Sequence, residues 1–125
     1  SHANMRLRVH AVSREAFDRW AEAQRAPAAS PTEPLAQQGY QVFMSKACVG
    51  CHVIEGTPAQ GKVGPNLTHV GSRTTIAAGL LENTPENMAR WLDNPPAIKP
   101  GSLMPRLGLT PEEIQALVAY LSSLK

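Results

Sequence analysis

Cys48-Val49-Gly50-Cys51-His52 is the stretch on which the reading of this chain turns. It spells C-x-x-C-H, the spacing at which two thiols span the edge of a porphyrin while the next imidazole reaches the iron beneath it. Two thioether bonds would anchor the ring. His52 would offer Nε2 to the metal while its Nδ1 donates to a carbonyl, which sets the tautomer and the basicity of the ligand. Other uses of paired cysteines fit less well. A thioredoxin-like redox site wants a βαβ setting, and the flanks here read as helix. A structural zinc site needs four ligands, and there is no second cysteine pair. A disulfide across two residues would close a tight, strained loop.

A haem iron held by one imidazole has a second axial position to fill. The candidates are His2, His10, His69 and the sulfurs of Met5, Met44, Met88 and Met104. Met44 lies one helical turn before Cys48, on the attachment side. Met88 falls with Trp91 and Leu92 at i, i+3, i+4, the pattern of a core methionine. His69 reads as a loop histidine. Met104 sits in Lys99-Pro100-Gly101-Ser102-Leu103-Met104-Pro105, a Pro/Gly-rich loop that cannot be helical. An apolar Leu-Met pair there needs a cover, and a haem face would provide one. Met104 is the expected ligand, which gives the His/Met pairing used for electron transfer.

Composition sets the scale. A chain of 125 residues suits one small domain plus an extension. Two phenylalanines, two tryptophans and two tyrosines are few for a core, and eleven prolines and nine glycines make much of the chain irregular. A buried haem would supply the missing apolar mass. From residue 37 onward seven bases face six acids with no basic run, which removes the support for nucleic-acid binding and for strong electrostatic steering. No stretch of about eighteen apolar residues and no signal peptide is present. The expectation is a targeting segment already removed, or a piece of a longer chain.

Along the chain, residues 5–12 alternate apolar and polar at period two and read as a half-buried strand. Ser13 should cap a short helix bearing Phe17, Trp20 and Ala21. Residues 26–34 form an extended, semi-rigid Pro/Ala linker. A helix over about residues 35–47 would place Ala36, Tyr40, Phe43 and Ala47 on one face, with Gly39 allowing close approach of another helix. Gly64-Pro65-Asn66-Leu67 reads as a turn. A third helix starts at the Thr84 cap and Pro85 and ends before Pro95-Pro96. Thr110-Pro111-Glu112-Glu113 is a capping box, and Ile114, Leu117, Val118, Leu121 and Leu124 form one stripe whose natural partner is the Gly39/Phe43 face.

With these pieces in place, residues 37–125 resemble a small bacterial class I cytochrome c domain. The resemblance rests on Gly39-Tyr40-Gln41-Val42-Phe43 before Cys48, Gly64-Pro65-Asn66-Leu67, the loop around Met104, and Leu117 to Leu121. It implies an all-α fold wrapped around one covalent haem c, with His52 and Met104 as iron ligands and the Pro65 carbonyl accepting from His52. Arg73 and Trp91 would be donors to a haem propionate, with a plain core tryptophan an equal alternative for Trp91. Covalent haem attachment in this family implies an extracytoplasmic, periplasmic location.

Residues 1–25 resemble the end of the copper domain of cytochrome c oxidase subunit II. His2-Ala3-Asn4-Met5 matches the H-x-x-M spacing of the last two ligands of that family's binuclear copper site. The preceding copper-binding cysteines and histidine are absent, so no copper site can form in this chain. A cloning scar is the competing origin of Ser1-His2. The combined resemblance is to the cytochrome c extension of a c-fused oxidase subunit II: a copper-domain remnant (1–25), a linker (26–36) and a cytochrome domain (37–125). The partners implied are the copper domain and an external donor, such as another cytochrome or an iron-sulfur protein, with a membrane-anchored parent. A nine-residue linker at about 3.1 Å per residue would span roughly 28 Å. The fragment itself carries no catalysis in this reading. A stand-alone soluble electron shuttle is the alternative. A haem enzyme or gas sensor with an open sixth site ranks below both, since only Arg106 offers a distal polar group near Met104.

Overall fold

The structure, a computed structural model, describes residue 3 and residues 5–125. Six helices dominate: α1 (Arg14–Arg25), α2 (Pro34–Ser45), the one-turn α3 (Cys48–Cys51), α4 (Pro85–Asp93), α5 (Pro95–Ile98) and α6 (Pro111–Ser123). The one sheet among the described residues is a two-stranded antiparallel hairpin, β1 (Thr75–Ile76) with β2 (Leu81–Glu82), in which Thr75 pairs with Glu82 and Ile76 with Leu81. The all-α expectation holds.

The core is the crossing of α2 with α6. Gly39 brings the two backbones together: a Cβ there would overlap the Ala116 carbonyl and sit 2.7 Å from Tyr120 Cβ. Around that contact Ala36, Phe43, Ala116, Leu117, Tyr120 and Leu121 are buried, and Tyr120 meets the rings of Phe43 and Tyr40 edge-on at 6.0 and 5.6 Å. Burial with Tyr40 beside it pushes the Tyr120 phenol up to about 12, so it stays neutral. The capping box predicted at α6 is present, with Thr110 Oγ1 accepting from the Glu113 amide and Glu113 accepting from the Thr110 amide. Lys46, just past α2, reaches Glu113 at 2.9 Å, and this contact followed by the Thr110 bond holds the Glu113 carboxyl below the usual range. The ends of both helices are thereby joined. Thr84 caps α4 as expected, and Met88 on its inner face is 3% exposed, a core methionine.

One expectation is corrected. Residues 5–12 form no strand; Leu7 and Val9 are more than four-fifths exposed, because no neighbouring strand among the described residues pairs with them. They run instead beside the hairpin tip, where a Cβ on Gly79 would lie 3.1 Å from Arg6 Cβ. Helix α1 forms as predicted, with Ser13 Oγ accepting from Ala16, yet none of its side chains is buried, and the rings of Phe17 and Trp20 meet at 5.7 Å, tilted by 40°. Helix α4 ends at Asp93, before Pro95-Pro96 as expected. Asn94 caps a fresh turn, α5, because proline is well suited to the first positions of a helix.

The linker is not a free spacer either. The Ala28 amide donates to Glu55 at 2.9 Å, and His69 Nε2 donates to the Ala26 carbonyl, just after α1, at 2.9 Å. His69 is buried, so this loop histidine is the clasp that straps residues 26–28 to the helical body. Replacing it by leucine keeps the bulk but leaves the Ala26 carbonyl without its donor, a loss of about 1 kcal/mol. We expect His69→Leu to be cut faster by protease within residues 26–33 while the body melts normally. Cleavage at the parent rate would mean that the strap is held without His69.

Candidate functional site

Helix α2 ends at Ser45 and the chain turns immediately into α3, whose single turn carries both cysteines. The turn closes with the His52 amide on the Cys48 carbonyl at 3.0 Å, which turns the His52 side chain off the end of α3. Cys48 and Cys51 are free thiols. Burial pushes the Cys48 thiol up, keeping it protonated until something draws the proton away.

The His52 imidazole is fixed from two sides. Nδ1 lies 2.8 Å from the Pro65 carbonyl, and because a carbonyl can only accept, Nδ1 carries the proton. The lone pair therefore sits on Nε2, which has no hydrogen-bond partner among the described residues. The ring lies against Gly64, where a Cβ would sit 2.5 Å from Cε1 and 2.8 Å from Nδ1. The Val63 and Gly64 amides both donate to the Cys51 carbonyl, at 3.1 and 2.7 Å, so the 63–65 segment is sewn to the motif it supports.

Beyond Pro65, Asn66 Oδ1 accepts from the Thr68 amide and hydroxyl at 2.8 and 2.6 Å, and the Asn66 carbonyl accepts from the Arg73 guanidinium. Partial burial lowers the Arg73 guanidinium from its usual value, though it remains a cation at any neutral pH. Trp91 is half-buried against the core.

Met104 is half-buried and packs against the core, and its neighbour Leu103 is 93% exposed. The loop is tied at its start, where Lys99 Nζ donates to the Ala77 carbonyl of the hairpin at 3.2 Å. Met44 is half-buried, His10 is exposed, and Met5 is 74% exposed. His2 lies outside the described residues.

A covalent haem fits this donor set. Two unpaired thiols and an imidazole with a locked tautomer and an unengaged Nε2 lie on consecutive turns of chain. Leu67, Trp91, Met104, Leu107, Leu109, Ile114 and Val118 pack on the core yet stay partly uncovered, as the walls around a bulky apolar group would. Gly61, Gly64, His69 and Lys99 support the arrangement and were not singled out for that role by their sequence pattern, since their contacts come from distant segments.

Comparison with known proteins agrees. The profile of the family described as Cytochrome c matches residues 36–125. Over its whole length the chain is 43% identical to cytochrome c oxidase subunit 2 of Alkalihalophilus pseudofirmus, 41% to that of Bacillus sp. PS3 and 35% to that of Bacillus subtilis. In each case it spans 36% of the relative's length. The similarity includes the segment that precedes the cytochrome c profile.

Proposed function

The chain belongs to the cytochrome c family, and from that premise we propose that it is the one-electron relay of a c-fused oxidase subunit II, passing electrons from an external donor to the binuclear copper site of its parent. The observation that carries this is the Pro65–His52 bond at 2.8 Å beside the two free thiols, which presents a neutral Nε2 to an iron. A haem c bound there supplies reversible one-electron iron chemistry without bond breaking.

The residues divide the work. Cys48 and Cys51 hold the ring edge through thioethers. His52 and Met104 would be the residues that ligate the iron, the pairing that raises the potential of a haem c. Trp91 and Arg73 donate to the propionates. Residues 1–25 are the remnant of the copper domain, with His2 and Met5 as the last two ligands of a site completed by parts of the parent outside this chain. Residues 26–36 link it to the cytochrome domain, residues 37–125. Similarity to subunit 2 across the leading segment supports this division over a stand-alone shuttle. In this reading the parent is membrane-anchored and carries this domain on its periplasmic face. Among the described residues no helix is long and apolar enough to cross a membrane.

The docked strap changes how the relay works. A free linker would hold the two centres at an effective concentration on the order of millimolar. With Ala26 and Ala28 bonded to the body, the approach direction is set as well.

The test is a visible spectrum of the haem-loaded chain, oxidised, then reduced, with carbon monoxide added last. We expect a low-spin c-type spectrum with a weak far-red sulfur-to-iron band, unmoved by carbon monoxide. Met104→Ala should abolish that band and admit carbon monoxide. A parent spectrum that is high-spin and shifts with carbon monoxide would mean an open iron and favour a haem enzyme or sensor.

A further inference from the structure

Asn83 has a placement that the relay does not obviously need. It stands just after β2, far in sequence from the motif, and its amide nitrogen Nδ2 donates to two carbonyls at once, Val70 and Arg73, each at 2.8 Å. Its backbone amide donates to Thr74 at 3.0 Å. Those bonds close the short 3-10 turn Val70–Ser72 and fix the main chain of Arg73 just beyond it. The Arg73 guanidinium then donates to the Asn66 carbonyl. Asn66 is further held by its own side chain on Thr68, and Thr68 Oγ1 accepts from the Glu55 amide at 2.9 Å. Immediately before Asn66 is Pro65, whose carbonyl accepts from His52. On the other side of Pro65, the Gly64 amide is pinned to Cys51. The peptide carrying the Pro65 carbonyl is therefore gripped at both ends, and the outer grip begins at Asn83.

Proline makes such a grip necessary. Its ring fixes φ but leaves ψ free, and ψ aims the carbonyl. A one-residue anchor on the Gly64 side would not hold that angle. Clamping the next residue, Asn66, does so.

From this chain of contacts we infer that Asn83, acting through Arg73 and Asn66, is a positioning residue for His52: it aims the Pro65 carbonyl and thereby tunes the reduction potential of the iron His52 ligates. The physical link is the ligand's basicity. A well-aimed acceptor on Nδ1–H pushes electron density to Nε2 and favours the oxidised metal. A poorly aimed one lets the imidazole donate less and favours the reduced metal. Loosening the grip raises the potential. This rests on His52 ligation as proposed above.

The experiment compares Asn83→Leu with the parent in the haem-loaded chain. Leucine keeps the volume and removes both donors. The expected result is a midpoint raised by an about threefold change in the redox equilibrium constant, about 28 mV for one electron at 59 mV per tenfold. The proton on His52 Nδ1, followed by NMR in the reduced diamagnetic form, should exchange with solvent faster. A purely structural asparagine would lower the melting temperature and leave both readouts unmoved, and that result would overturn the proposal.

Arg73→Lys provides the second arm if Asn83→Leu does not fold. It keeps the charge but loses the fixed fork of donors. A rise in potential with Lys accompanied by faster exchange of the His52 Nδ1 proton supports positioning, and a rise with unchanged exchange would assign the effect to the propionate contact and overturn it. A silent Lys with a shifted Arg73→Gln would assign the effect to charge alone and overturn it. Failure of the ligation itself would be seen separately, as a missing low-spin c-type spectrum in the parent.

Discussion

Gly39→Ala is expected to lower the melting temperature of the haem-loaded chain by about 10 °C or more. The added methyl is small, and in an ordinary helix interior the change from glycine to alanine gains roughly 0.5–1 kcal/mol. Here it meets backbone. The Cβ overlaps the Ala116 carbonyl and comes within 2.7 Å of Tyr120 Cβ, and neither can rotate away. Helices α2 and α6 must separate, which loosens the packing of Phe43, Leu117 and Tyr120, three of the most completely buried side chains. Overpacking of this kind costs typically 1–3 kcal/mol and more against backbone, so the loss outweighs the gain in helix propensity. Gly50 in α3 is the internal control. A Cβ there meets nothing within 4 Å, so Gly50→Ala should melt like the parent. Thermal unfolding followed by circular dichroism decides it. If Gly39→Ala melts with the parent, the helices do not cross as closely as the structure has them.

Gly64→Ala is expected to spare the fold and damage the ligand. Its Cβ would lie 2.5 Å from His52 Cε1, 2.8 Å from Nδ1 and 3.1 Å from Nε2, across the face of the imidazole. Either the ring tilts away or the 63–65 segment lifts from Cys51, and in both cases the Nδ1 bond to Pro65 is lost or lengthened. Loss of a bond to a buried group plus the steric strain costs about 2–3 kcal/mol, spent at the ligand. The spectrum should show a mixture with high-spin haem and partial carbon monoxide binding at temperatures where the helices remain folded. This separates the two glycines: Gly39 acts on melting, Gly64 on spectrum. A parent-like spectrum from Gly64→Ala would remove the argument that Gly64 seats the imidazole.

Much of the site could be read from local pattern. The C-x-x-C-H spacing, the capping box at Thr110 and the Thr84-Pro85 start depend on residues a few positions apart, and local sterics and hydrogen bonding determine them. The apolar stripe on α6 and Gly39 on α2 named their own pairing. Patterns failed where a partner was required. Residues 5–12 have the alternation of a strand, but a strand exists only when another pairs with it. Residues 26–34 have the composition of a linker, but His69, 43 positions beyond Ala26, straps them down.

The sequence by itself determined the chemistry of attachment, the helical class of the fold and the crossing of α2 with α6, since each follows from short-range spacing or from one periodic face. Only the tertiary structure decided how Gly64 backs the His52 ring, how Asn83 and Arg73 reach Asn66, and how His69 holds Ala26. Those contacts join segments distant in the chain, and hydrogen bonds of that kind leave no periodicity behind: one polar side chain and one backbone carbonyl look the same in sequence whether or not folding brings them together.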